Sequence, residues 1–334
     1  RQRAVWQPVP DDIKVAIGEP PPFGPQGFER VADDIRRLVL PYGTGNIHPR
    51  FFGWVHGTGT AGGIAAEMVA AALNANVGGR DHGAVYVERQ VIGWFRQLFG
   101  FPAGASGLLV SGTSTATLIG LAIARNRAIG VTARSSGLAA ANGQLVAYTS
   151  REAHSSVAKA FELLGLGNKA LRAIAVDTSY ALDVDALRAT IAADRAAGLQ
   201  PFAIIATAGT VNTGAIDPLA EIATIAAEEG LWLHVDGAFG ALAILAPEHR
   251  HRLAGIDRAD SLAFDFHKWL HVPYDAGCLL VRDGEEHLAA YSTRPVYLAG
   301  HQRGLAAGEP WFCEYGPELS RGFRALKVWA TIKE

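Results

Sequence analysis

The feature that most constrains the fold is a run of short, uninterrupted apolar stretches separated by amphipathic ones, extending through residues 108–281. The apolar stretches at 144–148, 171–176, 202–207, 231–235, 261–264 and 277–281 show no polar alternation. They therefore read as strands buried on both faces. Helical spacing fills 114–127, 155–164, 184–197 and 219–229, with Asp183 placed to cap the third of these and Asp217-Pro218 opening the fourth. Two further helical stretches lie upstream, at 61–74 and 86–99. Strands alternating with helices give an α/β fold with a mostly parallel central sheet covered by helices on both faces.

Composition sets the remaining bounds. Of 334 residues, 49% are hydrophobic and 19% charged, enough for a sizeable core and unlike a disordered chain. The 30 basic and 32 acidic residues are intermixed, so no basic stripe points to nucleic acid. No apolar run is long enough to cross a membrane. Cys278 and Cys313 belong to no motif and give no disulfide framework, which fits a reducing, cytoplasmic setting. Residues 1–45 are proline-rich and carry one helical stretch, FERVADDIRRLVLPY, so residues 1–59 read as an arm that packs on a partner subunit, ahead of a large domain at 60–334. The chain starts at Arg1 and stops within the amphipathic stretch ALKVWATIKE, so both ends read as incomplete.

In open α/β sheets ligands sit beyond the carboxyl ends of the strands. His154, Thr207 to Thr210, Asp236 and Lys268 all fall at such ends. Ser111-Gly112-Thr113-Ser114-Thr115 lies between an apolar run and a helix, where small residues, hydroxyls and free N–H groups suit a phosphate; an ordinary helix cap is the alternative. Asp236 closes an apolar strand, where a buried acid needs a cationic partner such as a pyridinium nitrogen, or else a loop salt bridge. His154 is placed either to stack on a flat ring or to cap a helix. Lys268 is either a Schiff-base nucleophile or a snorkelling surface residue. In combination these parts describe a site for pyridoxal 5'-phosphate (PLP).

The segments HVDGAFGA, DFHKW, AHSSVAKA and HPRFFGW resemble the group II PLP-dependent amino-acid decarboxylases, which include the aromatic-L-amino-acid, histidine, tyrosine and glutamate enzymes. The resemblance runs from about residue 5 to the end of the chain. It implies the fold-type I, aminotransferase-like architecture, and an obligate homodimer with the active site at the interface. It also implies release of CO2 and a primary amine from a small-molecule L-amino acid. By the same resemblance Lys268 carries the cofactor, Asp236 faces the pyridine nitrogen, Ala238 lies against the ring and His154 stacks on its other face. Thr113, Ser114, Asp265 and His267 match phosphate-side positions, and Thr210 a threonine near the ring. Tyr297, in STRPVYLAG, matches a mobile-loop tyrosine that protonates the substrate carbon after decarboxylation. Phe52, Trp54, His56, Arg80 and His82 fall at substrate-pocket positions.

The chain also departs from the family pattern. Phe266 stands where many members have proline, and Arg80, Asp81 and His82 stand where an aromatic decarboxylase has apolar contacts. The small C-terminal domain of the family is not in this sequence. Rival readings are a decarboxylation-dependent aldehyde synthase, against which Tyr297 argues, another fold-type I enzyme such as an aminotransferase or lyase, and a non-catalytic binding protein on the same fold. His267 and His271 have the i, i+4 spacing of a helical zinc site, but no adjacent glutamate accompanies them and Pro273 follows, so no metal is expected.

Overall fold

A computed structural model describes residues 4–293 and 303–334. The chain divides into two compact units, Arg1–Thr58 and Gly59–Glu334. The first contains helices α1 (Asp11–Ile17) and α2 (Phe28–Asp34), the latter running into a π turn and a 3₁₀ turn that end at Tyr42. Ile13 is its buried apolar residue, whereas Phe23, Phe28, Leu40, Ile47, Phe52 and Trp54 are all exposed.

The second unit is built on one seven-stranded sheet. Its strands are β1 (Ser106–Val110), β2 (Leu145–Ser150), β3 (Leu171–Ile174), β4 (Gln200–Thr207), β5 (Trp232–Asp236), β6 (Ser261–Asp265) and β7 (Gly277–Val281), in the order β1-β7-β6-β5-β4-β2-β3. Pairing is parallel from β3 through β6, and β7 runs antiparallel to both β1 and β6. Every residue of β2, β5, β6 and β7 is buried, as it must be when both faces of a sheet are covered. The helices of this unit are α3 (Ala61–Leu73), α4 (Gly83–Leu98), α5 (Thr113–Ile129), α6 (Ala133–Ser136), α7 (Ser156–Leu163), α8 (Val184–Ala196), α9 (Leu219–Glu229), α10 (Gly284–Tyr291) and α11 (Ala325–Lys333). The α5 helix packs against β5, β6 and β7 on one side and meets α7 and α10 on others, which is why its apolar residues are not confined to one stripe. Asp183 caps α8 as expected, accepting the N–H groups of Asp185 and Ala186 at 3.0 Å.

The structure adds three details to the sequence reading. The apolar run at 108–110 is itself a strand, β1, at the edge of the sheet beside β7. Unlike β4 and β5, which are connected through α9, β5 and β6 are joined by 3₁₀ turns at Gly240–Leu245, Arg250–Leu253 and Ile256–Arg258. Gly240 explains part of this, because a Cβ there would stand 2.2 Å from the Ala208 carbonyl oxygen, so the chain is pressed against the end of β4. Residues 266–270 form successive turns, with His271 in the left-handed region at φ 55°, so His267 and His271 do not share a helical face and the zinc-like spacing has no structural counterpart.

Candidate active site

Strand β6 ends on Asp265, and the turns that follow fold Lys268 back toward it. Lys268 Nζ lies 2.8 Å from Asp265 Oδ2; the lysine side chain is 23% exposed and the aspartate 3%. Asp265 Oδ1 accepts the backbone N–H of Thr113, the first residue of α5, at 2.7 Å. This junction needs a glycine at 277. A Cβ on Gly277 would lie 2.5 Å from Gly112 Cα and 2.8 Å from Asp265 Oδ1, so β7 can pass the mouth of α5 only without a side chain there. His267 Nδ1 accepts the Ala276 N–H at 3.0 Å, which leaves the ring proton on Nε2. Burial lowers the proton affinity of this imidazole, so its 3.5 Å approach to Asp265 is that of a neutral ring rather than an ion pair.

Asp236 ends β5 and is buried, with Oδ1 accepting the Ala238 N–H at 3.1 Å. Burial pushes its pKa up; the Ala238 hydrogen bond and the charges of Lys268 and His154 pull it back, while Asp265 adds to the rise. The carboxyl group is therefore short of positive charge, and a cationic ring nitrogen would supply it. His154 follows β2, with Nδ1 accepting from Ser156 N at 3.2 Å and 2.8 Å from Ser156 Oγ. With Ser114, Thr115, Ser156 and Lys159 it lines a cavity of about 300 Å³ between α5 and α7. Thr113 Oγ1 is buried and has no hydrogen-bond partner among the described residues, at a helix N-terminus whose dipole favours an anion. An acid short of a cation, an orphaned hydroxyl at a phosphate-type helix terminus, and an amine beside them fit a phosphorylated pyridine aldehyde.

Thr210 is buried after β4, its Oγ1 2.6 Å from Thr213 Oγ1 and accepting the Ala215 N–H at 3.1 Å. Asp217 does more than precede α9. It is buried and takes the N–H groups of Thr207 and Leu182 at 2.7 and 2.8 Å, and burial pushes its pKa up to about 6. This clamp on the end of β4 left no trace in the sequence beyond an acid before a proline. The pairing of Asp265 with Lys268 was also not read from the sequence, although an acid three residues before the lysine was its one available signal.

The proposed pocket residues fall in both units. Phe52, Trp54 and His56 belong to the first unit, where the rings of Phe51, Trp54 and His56 lie 5.6–6.1 Å apart. Arg80 is exposed and left-handed at φ 83°, and His82 Nε2 contacts the Asn76 carbonyl at 3.2 Å at the start of α4. Tyr297 lies outside the described residues.

A family model, the pyridoxal-dependent decarboxylase conserved domain, matches residues 10–334. The chain is similar to an aromatic-L-amino-acid decarboxylase of Bacillus atrophaeus, with 39% identity over 290 residues covering 86% of this chain and 58% of that protein. It is similar to the Bos taurus aromatic-L-amino-acid decarboxylase, with 35% identity covering 97% of this chain and 68% of that one. Among solved structures, Oryza sativa TDC with PLP and tryptamine aligns with a TM-score of 0.90 and 30% identity, over 98% of this chain and 69% of that chain. Rhodiola rosea 4-hydroxyphenylacetaldehyde synthase aligns at 0.86 with 27% identity, over 99% of this chain and 69% of that chain. The chain thus spans roughly 58–69% of the length of these relatives.

Proposed function

This chain belongs to the pyridoxal-dependent decarboxylase family, and from that premise we propose that it is a PLP-dependent L-amino-acid carboxy-lyase, releasing CO2 and a primary amine from an aromatic or related amino acid. The observation that carries this reading is the continuous set of contacts from Thr113 through Asp265 to Lys268, with Asp236 in the electrostatic reach of the lysine. These contacts support reading Thr113, Lys268 and Asp236 as phosphate seat, attachment amine and ring-nitrogen partner.

When bound, the cofactor supplies an electron sink for the pair left behind by departing CO2. The chain's residues do the rest. Thr113 and Ser114 would hold the phosphate at the N-terminus of α5, with Asp265 and His267 on the same side. Asp236 would keep a positive charge on the ring nitrogen, His154 and Ala238 would flank the ring, and Thr210 would stand near it. Lys268 would hold the cofactor through its aldehyde, its Nζ lying beside Asp265. Tyr297 Oη delivers a proton to the substrate carbon as general acid. Phe52, Trp54, His56, Arg80 and His82 select the side chain.

We read the enzyme as a homodimer. The exposed aromatic and aliphatic side chains of the first unit, and Ile64, Met68 and Leu73 exposed on α3, support a subunit contact. Its setting is read as cytoplasmic, in keeping with Cys278 and Cys313, which belong to no disulfide framework. No helix among the described residues is long and apolar enough to cross a membrane.

A panel of L-amino acids assayed for CO2 and analysed by mass spectrometry tests the reading. Amine and CO2 in equal amounts from one or more of them is the expected result. Aldehyde formed with oxygen consumption would move the assignment to an aldehyde synthase, and a keto acid would move it to an aminotransferase.

A further inference from the structure

The Asp265 carboxylate has two partners that belong to two different parts of the site. Oδ2 holds Lys268 Nζ at 2.8 Å, and Oδ1 holds the first N–H of α5, that of Thr113, at 2.7 Å. The carboxylate is buried and lies close to the backbone of Gly277, where a Cβ would come within 2.8 Å of Oδ1. His267 at 3.5 Å is neutral and adds no charge, and the other acid near the lysine, Asp236, spends its Oδ1 on Ala238. An asparagine at this position would still accept the Thr113 N–H but would not neutralise a lysine. Only a carboxylate makes both contacts with full strength.

We propose that Asp265 is a latch on the cofactor-free site: one carboxylate ties down the lysine that must reach the cofactor aldehyde and, at the same time, occupies the first N–H donor of the phosphate seat. Loading the cofactor then requires both contacts to be given up or shared. The incoming phosphate is an anion arriving beside a buried anion, and it competes for the same Thr113 N–H. The lysine in turn reacts only once Nζ leaves Oδ2. Asp265 is thus a positioning residue that sets how fast and how tightly the site takes up its cofactor. This inference rests on the reading of Lys268 as the cofactor lysine.

The test compares cofactor-free wild type with Asp265→Asn and with Asp265→Ser, the second keeping a small acceptor should the first not fold. Trinitrobenzenesulfonate labelling of Lys268 is mapped by mass spectrometry, with the exposed Lys169 as internal reference. Loss of one charge-assisted hydrogen bond should raise Lys268 labelling relative to Lys169 by about tenfold in both variants, and added PLP should be captured faster than by wild type, followed as the gain of its bound absorbance. Labelling equal to wild type in the variants, with PLP still protecting Lys268, would overturn the latch and leave the cofactor site standing. If wild type shows neither PLP protection of Lys268 nor bound absorbance while the variants label faster, the ion pair stands and the cofactor reading falls.

Discussion

Arg321 Nη2 donates to Glu88 Oε1 at 2.6 Å, joining the segment before α11 to the middle of α4 across 233 residues of sequence, with both side chains buried. The same guanidinium reaches the carbonyls of Val77 and Leu109 at 2.9 and 2.5 Å, and Glu88 Oε1 also accepts the Leu109 N–H at 3.2 Å. The pair therefore fastens α4, the edge strand β1 and the loop before α4 to the last part of the chain.

Removing one half of a buried pair leaves the other charge uncompensated. Arg321→Met is expected to cost about 3–5 kcal/mol of stability. Adding Glu88→Leu should recover most of that loss, because the isolated carboxylate is then gone. Urea midpoints of the two single variants and the double variant check this, and additive losses would refute it.

Asp217 anchors two otherwise unmet buried N–H groups, those of Thr207 and Leu182. Asp217→Ala should cost about 2–4 kcal/mol. Its folded pKa of about 6 lies above the ordinary carboxyl value of 3.8, so its contribution is fully present below 3.8 and declines as pH rises through 6. The cost of the substitution should therefore be about 1 kcal/mol larger at pH 5 than at pH 8. Denaturant titrations of both proteins at the two pH values measure it.

His287 is buried, 2.8 Å from Ser106 Oγ and 2.7 Å from the Tyr315 carbonyl, and burial lowers its pKa to about 4. A base with a depressed folded pKa gives stability that is present above its unfolded pKa of about 6.5 and is lost as pH falls toward the folded one. Wild type pays this acid penalty and His287→Gln does not. The stability gap between them should narrow by about 2–3 kcal/mol from pH 7 to pH 4; a gap independent of pH would show that the ring titrates alike in the folded and unfolded chain.

Lys268→Ala should abolish both CO2 release and the absorbance of bound PLP. Asp236→Asn should still capture PLP but turn over at least about a hundredfold more slowly, since it removes a charge that acts on the transition state. Single-turnover CO2 release and absorbance titration separate the two effects. Normal turnover by Lys268→Ala would end the assignment of that lysine.

The strands and helices were legible because unbroken apolar runs and 3.6-residue spacing are properties of the chain itself. Asp183 announced its cap because an N-cap is a contact within one turn. The family was legible from the motifs around Lys268 and Asp236, because each residue type there suits a task in a PLP site. The 3₁₀ link between β5 and β6 was not, since Gly240 is forced against Ala208 by a neighbour that only the folded sheet provides. Nor were the partners of the charged groups. Asp265 could be placed beside a phosphate from its sequence position, but its simultaneous hold on Lys268 and Thr113 depends on β6, α5 and β7 meeting at Gly112 and Gly277. Asp217 and Arg321 likewise find their partners 10 to 244 residues away. The sequence by itself determined which elements form and which residues have the chemistry for the site. The tertiary structure decided which charges face one another, because electrostatic strength depends on distance and burial, and both are fixed only when distant segments pack.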